Sequence, residues 1–262
     1  MSDSLSFDRA ADFYDQTRPL VEPIARQGIQ AILEITGQSA HILDVGTGTG
    51  RISVPLLDRG ADLIGCDISS KMLKRLREKH PSARLSQADA SRMPFPGGHF
   101  DAVLTVHVIH LISPWQEALR EFKRVLVPGG VYLNIRTYAA VGNSIREQIR
   151  QFWRGWVQTR GVQVYQPGVQ DFQQFLNELE SLGARLTEVE VVRFPLPFTL
   201  REELGRFTSR VYSDAWHIPD DVYAASMEAL RIWVVREYGD LDQLHEDQVR
   251  FVIDAARFNR NG

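Results

Sequence analysis

A glycine-rich turn that directly follows a short apolar run is the feature that most constrains the fold of this chain. Residues 42–45 predict a buried strand, and the segment LDVGTGTGR at 43–51 leads from it into a predicted helix at 51–58. Because glycine has no Cβ, the backbone of such a turn can lie close to a ligand. The start of the helix presents free N–H groups beside it. The pattern predicts a site for a nucleoside with a polar tail.

The spacing of the glycines separates two classes of ligand. The dinucleotide fingerprint G-x-G-x-x-G, counted from Gly46 and Gly48, requires a third glycine at position 51. Arg51 stands there, and Gly50 makes the pattern G-x-G-x-G instead. The bound group therefore need not be a pyrophosphate. A purely structural turn, or a site for another nucleotide, is the alternative interpretation.

Short apolar runs alternate with helix-like segments from residue 40 to 138. Further strands are predicted at 63–66, 84–87, 100–105 and 131–135, with helices at 69–79 and 114–125. This alternation favours right-handed crossovers and a mostly parallel sheet covered on both faces. The second half differs, with helices predicted at 144–156, 172–182 and throughout 200–247, and strands at 186–194 and 249–258.

Acidic residues close the next two predicted strands, at the edge where the glycine turn lies. Asp67 follows the second strand, and a carboxylate there can accept both hydrogen bonds of a ribose diol. An acid that stabilises the N-terminus of the next helix is the alternative. Asp89, with Ala90, follows the third strand and could accept from an adenine amine while Met93 covers the ring. An ordinary loop acid and simple core packing are the alternatives for Asp89 and Met93.

These motifs resemble, in order and spacing, those of class I S-adenosylmethionine-dependent methyltransferases. They look closest to the small-molecule group that includes the ubiquinone and menaquinone biosynthesis enzymes. The resemblance is strong over residues 40–138 and rests on the glycine turn, Asp67, Ala88-Asp89-Ala90, Met93-Pro94-Phe95-Pro96, Phe100-Asp101-Ala102-Val103 and Leu126-Val127-Pro128-Gly129-Gly130. The N-terminal segment of the group is matched by Phe7-Asp8-Arg9-Ala10-Ala11, Tyr14 and Arg18-Pro19.

The resemblance implies an α/β fold with a doubly wound, mostly parallel seven-stranded sheet, an antiparallel last strand and a helical cap. Residues 1–40 would form an N-terminal helical lid segment and residues 41–138 the cofactor-binding Rossmann-like core. Residues 139–262 would supply helical insertions that act as a substrate cap, plus the last two strands. The implied cofactor is S-adenosyl-L-methionine, with Asp44 helping to position its ammonium group. The residues expected to bind it are Asp44, Gly46, Thr47, Gly48, Gly50, Asp67, Ile68, Asp89, Ala90, Met93 and Thr105.

The acceptor side carries no catalytic signature, and none is expected, because methyl transfer mainly requires donor and acceptor to be held close and collinear. His107 is the candidate for a substrate contact or a general base, with a packed histidine as the alternative. Tyr14 and Arg18 are candidates for a lid, with a surface helix as the alternative. Arg136 could meet an acidic acceptor or pair with a neighbouring carboxylate. Several aromatic residues could line an apolar acceptor pocket, with buried helix faces as the alternative: Trp153, Trp156, Tyr165, Tyr212 and Trp216.

Composition and the distribution of charged and apolar residues argue against several classes of partner. With 30 basic and 33 acidic residues the net charge is −3. The sequence contains no long block of Lys and Arg, so nucleic-acid binding is not predicted. The lone Cys66 cannot form an internal disulfide and fits a reducing cytoplasm. The first 18 residues have no apolar signal-peptide region, and no apolar run reaches the ~18 residues of a membrane span. The histidines at 107 and 110 have no third ligand nearby, so no metal site is predicted.

Three functions are compatible with these features. The leading hypothesis is an enzyme that transfers a methyl group from S-adenosylmethionine to an O, N or C atom of a small organic acceptor. An NAD(P)-dependent oxidoreductase shares the sheet and the acid after the second strand. A non-catalytic protein that binds S-adenosylmethionine would keep the same turn and acids. The expected partner is a small molecule, and the apolar insert helices are compatible with a homodimer.

Overall fold

The described residues contain seven strands that form one sheet. The structure is a computed structural model and describes residues 4–139, 144–164 and 166–259. Its strands are β1 His41–Val45, β2 Asp62–Asp67, β3 Arg84–Gln87, β4 Phe100–Val106, β5 Leu126–Ala139, β6 Ala184–Thr199 and β7 Leu244–Phe258. Their order across the sheet is β3-β2-β1-β4-β5-β7-β6.

The first five strands run parallel, as predicted. Val45 at the end of β1 lies opposite Cys66 of β2 on one side and Thr105 of β4 on the other. On β2, Asp67 lies opposite Gln87 of β3. Because the strands are parallel and in register, the glycine turn, Asp67 and the loop after β3 all leave the sheet at the same edge.

Helices precede β1 and lie in most of the connections between the later strands. They are α1 Tyr14–Thr17, α2 Ile29–Thr36, α3 Ser53–Leu57, α4 Ser70–Lys79, α5 Trp115–Val125, α6 Ile145–Gln158 and α7 Phe172–Ser181. The α4 helix illustrates how sequence sets these elements. Its N-cap is Ser69, whose hydroxyl accepts a hydrogen bond from the Met72 N–H, and its buried face is Met72, Leu73 and Leu76.

The last strand runs antiparallel to β5, which confirms the predicted topology. Near the end of β7, Arg257 donates to the carbonyl of Gly129 near the start of β5. Earlier in β7, Asp254 accepts hydrogen bonds from Asn134 and Arg136, which lie further along β5. The two strands therefore advance in opposite directions.

Some predicted boundaries were wrong. The sequence Pro128-Gly129-Gly130 predicted a break before a strand at 131, but β5 already begins at Leu126. The pairing of β4 with β5 shifts register between Phe100 and Ala102, so the Pro-Gly-Gly segment lies beside an irregularity of the ladder. Strands β6 and β7 also exceed their predicted ranges of 186–194 and 249–258.

The chain divides into two units. Unit 1 contains Met1–Thr137, Gln166–Val192 and Phe251–Gly262, and unit 2 contains Tyr138–Tyr165 and Arg193–Arg250. The predicted division into lid, core and cap segments followed the expected function of each segment and not its compactness. That division stays a prediction. None of the described helices is long and apolar enough to cross a membrane.

Unit 2 is mainly helical around its own apolar core. Besides α6 it contains α8 Leu200–Thr208 and α9 Asp220–Tyr238, and the core includes Trp153, Phe207 and Leu230. The prediction of helix throughout 200–247 was wrong. Pro219 precedes the first residue of α9, Gly239 ends it with a φ of 79°, and β7 begins at Leu244.

Candidate functional site

Asp67 organises the glycine turn from the end of the neighbouring strand. Its Oδ2 accepts a hydrogen bond from the Gly48 N–H at 2.9 Å, and its Oδ1 accepts one from the Ser69 N–H at 2.8 Å. Burial raises the pKa of Asp67, and the backbone hydrogen bonds oppose that shift. The residue is half-buried and lies at the edge where a ribose was predicted.

The glycines of the turn serve different purposes. Gly46, Gly48 and Gly50 have positive φ values of 71°, 57° and 84°. A Cβ at Gly46 would overlap the side chain of Val108, and one at Gly50 would lie 2.8 Å from atoms of Val54 and Leu76. At Gly48 the nearest atom would be a backbone oxygen 4.0 Å away. Close packing therefore requires glycine at 46 and 50, whereas Gly48 borders the open space that a ligand could fill.

We expect Gly46→Ala to destabilise the protein more than Gly37→Ala. Gly37 also has a positive φ, of 98°, but a Cβ there would meet nothing within 4 Å. The control therefore measures the left-handed backbone alone, at about 1 kcal/mol. Gly46→Ala adds the overlap with Val108, a further ~2 kcal/mol. Denaturant unfolding gives both values, and Val108→Ala should restore part of the loss only in the Gly46→Ala background; equal losses for the two alanine variants would contradict the packing argument.

Asp44 lies at the end of β1 with one oxygen lacking a partner. The side chain is 2% exposed, and its Oδ2 accepts a hydrogen bond from the Ser53 hydroxyl, which also bonds Thr47 Oγ1 at 2.5 Å. Within the described part of the chain, its buried Oδ1 has no hydrogen-bond partner. Burial raises the pKa of Asp44 to about 6, although hydrogen bonds from Ser53 and Thr47 lower it. A buried acceptor without a donor is costly, so the position suits a cationic ligand group.

Asp89 is held by a short local network after β3. Its Oδ1 accepts hydrogen bonds from the Ser91 N–H and hydroxyl at 2.9 and 2.8 Å, which leaves Oδ2 for another donor. The following segment is fixed from α5, where Glu121 accepts from the Met93 N–H at 2.9 Å and Arg124 donates to the Phe95 carbonyl at 2.8 Å. The hydrogen bond from Arg124 lowers the pKa of Glu121, so this carboxylate is ionised.

Several predicted cofactor residues are part of the interior. Thr105 is fully buried, and its hydroxyl bonds Tyr132 at 2.7 Å and Asn134 at 3.3 Å, so we propose no side-chain contact with a cofactor for it. Ala90 and Met93 belong to the main apolar core of the sheet. The remaining positions of the set, Thr47 and Ile68, lie in the turn and beside Asp67.

The N-terminal segment is attached across this edge by its acidic residues. Asp8 accepts from the Ser69 hydroxyl at 2.5 Å. Asp15 accepts from the Thr49 hydroxyl at 2.6 Å and pairs with Lys79 at 2.5 Å. Tyr14 and Arg18 belong to the same segment, where the Arg18 guanidinium lies 4.8 Å from the centre of the Tyr14 ring. This attachment supports the predicted lid, which stays a prediction.

His107 follows β4 in a left-handed conformation with a φ of 53°. Its Nε2 accepts a hydrogen bond from the Thr137 N–H at 3.1 Å, so the proton of the neutral ring is on Nδ1. Burial lowers the pKa of His107 to about 3, and nearby cations, first among them Arg51, act in the same direction. The imidazole is therefore neutral near pH 7, and its basic nitrogen is already occupied.

Arg136 forms the ion pair that was the alternative prediction for it. Its Nε and one terminal nitrogen each lie 2.6 Å from an oxygen of Asp254, and the latter nitrogen also contacts Glu188 at 3.1 Å. The guanidinium stacks over the Phe172 ring at 4.1 Å. Its charge is therefore matched within unit 1, and we propose no acceptor contact for it.

Most of the predicted aromatic candidates are packing residues of unit 2. Trp153 is fully buried and donates to the Ser226 hydroxyl at 3.0 Å, Trp216 donates to the Arg210 carbonyl, and the Tyr212 hydroxyl donates to buried Glu203. Tyr165 lies outside the described residues. In the portions of the chain that are described, no three metal-ligating side chains come close enough together to hold an ion.

Sequence reasoning missed the residues that support the site. Ser53, Glu121 and Asp15 were not among the predicted ligand-binding residues, but they hold Asp44, the segment after Asp89 and the N-terminal segment in place. Only the Glu121–Arg124 pair had a local signal, since acidic and basic residues three apart on a helix face each other.

Comparisons with known proteins agree with this geometry. Residues 43–134 match the methyltransferase domain family. A demethylmenaquinone methyltransferase from Beutenbergia cavernae is 35% identical over 127 residues, which cover 47% of this chain and 53% of that protein. The chain thus spans about half the length of the curated relatives it matches.

Solved structures share the fold at low sequence identity. The YcgJ protein from Bacillus subtilis is 16% identical with a TM-score of 0.59, covering 88% of this chain and 97% of that one. Phosphoethanolamine N-methyltransferase 2 from Haemonchus contortus, solved with phosphomonomethylethanolamine and S-adenosylhomocysteine, is 18% identical with a TM-score of 0.54. The match covers 97% of this chain and 58% of the chain of that enzyme.

Over residues 43–134 the chain therefore matches a methyltransferase domain, and it resembles the class I S-adenosylmethionine-dependent methyltransferases, as the motifs predicted. Within this class it resembles the quinone-biosynthesis group. The residues present fit the cofactor of the class. The buried Oδ1 of Asp44 suits an ammonium group, the open space at Gly48 admits a ligand against the backbone, and Asp67 and Asp89 keep acceptor oxygens at the same edge.

Proposed function

We propose that this protein transfers a methyl group from S-adenosylmethionine to an O, N or C atom of a small organic acceptor. The observation that carries the proposal is the unpartnered, buried Oδ1 of Asp44 beside the open face of Gly48. Asp67 and Asp89 follow the next two parallel strands at the same edge. Together these three acids would bind the ammonium, ribose and adenine groups of one ligand.

Each residue of this site would act by holding a group in place. S-adenosylmethionine, when bound, supplies a methyl group activated by a positively charged sulfur. Asp44 would anchor the amino group, and Asp67, fixed by two backbone N–H groups, would accept from the ribose hydroxyls. Rigid anchors of this kind fix donor and acceptor in the aligned arrangement that methyl transfer requires, and such orientation can lower a barrier by several kcal/mol, up to ~7–11 in ideal cases.

We infer that His107 positions the acceptor side and does not remove a proton. A general base works best with a pKa near the operating pH, and the pKa of His107 is lowered to about 3. Its Nε2 also accepts from the Thr137 N–H, which links the ends of β4 and β5. An acceptor whose nucleophile is already unprotonated would need no base.

The proposal also includes a small-molecule acceptor and a location in the cytoplasm. The net charge of −3 supports a small-molecule acceptor over a nucleic acid, and a single cysteine supports the cytoplasm. A substrate cap formed by unit 2 and a homodimer stay predictions.

Calorimetric titration with S-adenosylhomocysteine, with NADH in parallel, tests the cofactor. We expect S-adenosylhomocysteine to bind in the micromolar range and NADH to give no saturable heat. Saturable NADH binding would instead favour the oxidoreductase. Failure of the folded protein to bind S-adenosylhomocysteine would contradict the proposal, and binding without turnover across a broad acceptor panel would favour the non-catalytic alternative.

A further inference from the structure

The glycine turn and the loop after β4 lie side by side at the carboxyl edge of the sheet. Val45, the last residue of β1, pairs with Thr105 of β4, so both chains leave the sheet at the same level. Gly46 packs so closely against Val108 that a Cβ would overlap it. Residues on the two loops therefore face the same region, the one where His107 lies.

The charged groups that act most strongly on His107 are all basic. Arg51, His110, Arg18 and Arg136, in that order, act on the imidazole, and all of them disfavour its protonation. No carboxylate contributes among the described residues that influence this ring most strongly. The strongest electrostatic influences at this edge of the site are therefore positive, and positive charge attracts anionic groups.

Arg51 differs from the other two arginines in its contacts. Arg136 is neutralised by Asp254, and Arg18 stacks on Tyr14. Arg51 is half-buried, yet across residues 4–139, 144–164 and 166–259 it forms no hydrogen bond or ion pair. Its guanidinium is therefore available to an anion, and its fork of donors matches a carboxylate or phosphate.

We propose that Arg51 binds an anionic group, a carboxylate or a phosphate, of the methyl acceptor. The proposal rests on the proposed function and narrows its substrate class to acidic small molecules. It makes Arg51 a determinant of specificity, because a neutral acceptor of the same shape would leave the guanidinium without a partner.

The carboxylate of the cofactor is the other source of such an anion. That carboxylate is attached to the same carbon as the ammonium group proposed to lie at Asp44. Arg51, however, is the cation that acts most strongly on His107, whereas the causes that dominate the pKa of Asp44 are burial, Ser53, Thr47 and Asp67. Its position therefore favours the acceptor side over the methionine portion.

Two titrations with wild type and Arg51→Met distinguish these sources. The first uses S-adenosylhomocysteine and its decarboxylated analogue, and we expect Arg51→Met to bind each within twofold of wild type. The second adds inorganic phosphate, at constant ionic strength, to protein saturated with S-adenosylhomocysteine. Backbone amide resonances of residues 46–52 should then shift saturably in the wild type, and phosphate affinity should fall at least about tenfold in Arg51→Met.

Matched variants separate a binding role from a general effect of charge. Arg51→Lys keeps a point charge and should lose less phosphate affinity than Arg51→Met. Arg77→Met removes an exposed arginine of α4 in the same unit and should change nothing. Unsaturable phosphate shifts, or equal affinity in wild type and Arg51→Met, would overturn the proposal. If Arg51→Met lost affinity for S-adenosylhomocysteine but not for its decarboxylated analogue, Arg51 would bind the carboxylate of the cofactor, and the proposal would be overturned.

The same experiment distinguishes a failure of the proposed function from a failure of the assignment of Arg51. If the wild type does not bind S-adenosylhomocysteine, the proposed function fails, and phosphate titration of the ligand-free protein still tests whether Arg51 binds an anion. If S-adenosylhomocysteine binds and only the phosphate arm fails, the proposed function stands and the assignment of Arg51 is wrong.

Discussion

Asp67→Ala should weaken the binding of S-adenosylhomocysteine by between about tenfold and several hundredfold. Each hydrogen bond to a charged group contributes ~1.5–3 kcal/mol, and a carboxylate can accept from both ribose hydroxyls. Asp67 also accepts from the N–H groups of Gly48 and Ser69. Its loss would therefore remove ligand contacts and loosen the turn that borders the ligand.

Two variants make this result interpretable. Asp67→Asn keeps an acceptor oxygen and the shape of the side chain, so we expect it to fold and to bind with intermediate affinity. Asp62→Ala removes the acid at the opposite end of β2, where it pairs with His41 and Arg84. Calorimetry should find its affinity within about twofold of wild type, since its partners are far from the ligand edge. An Asp67→Ala protein that is folded and binds as tightly as the Asp62 control would exclude the ribose role.

The sheet and its carboxyl edge could be predicted because they depend on local patterns. Apolar runs marked β1, β2 and β4, β3 was predicted at its observed bounds, and the helix predicted at 69–79 corresponds to α4. Parallel order then brought Asp67 and the glycine turn together without any further information. Local chemistry at strand ends is sufficient for this part of the site.

Contacts between distant residues could not be predicted in the same way. Gly46 was predicted to bind the cofactor, but its close contact with Val108 in the loop after β4 could not be read from the sequence. Arg136 reaches Asp254 across a separation of 118 residues, so the choice between acceptor and ion pair needed the folded structure. The unpartnered state of Arg51 likewise depends on which side chains do not approach it. Specificity on the acceptor side therefore has to be inferred from packing and charge.

The affinity for S-adenosylhomocysteine should fall as the pH drops below about 6, the value to which burial raises the pKa of Asp44. An ammonium group pairs with the carboxylate and not with the carboxylic acid. Above this pH the carboxylate is ionised and the affinity should be constant, and below it the affinity should fall by up to tenfold per pH unit. The pKa of His107, about 3, lies outside this range. Calorimetric titration from pH 5 to 8 measures the profile.

Asp44→Asn should change cofactor binding and stability in opposite directions. A raised carboxyl pKa contributes stability that is complete below the unfolded value of 3.8 and is lost as the pH rises through about 6. At pH 7.5 the ligand-free wild type therefore contains a destabilising buried charge, equivalent to about 3 kcal/mol. Asparagine removes the charge and keeps an oxygen for the Ser53 hydroxyl. The variant should unfold at a higher denaturant concentration and bind S-adenosylhomocysteine at least about tenfold more weakly.

Opposite changes in stability and in cofactor affinity would distinguish a ligand anchor from a structural residue. If Asp44 served only to fix β1 through Ser53, its replacement would lower stability and leave the pH profile of binding intact. If it anchors the ammonium group, the step near pH 6 should disappear in Asp44→Asn, and any remaining slope belongs to Asp67, whose pKa burial also raises. Loss of stability together with an unchanged pH profile would show that the buried, unpartnered oxygen of Asp44 has no part in binding the cofactor.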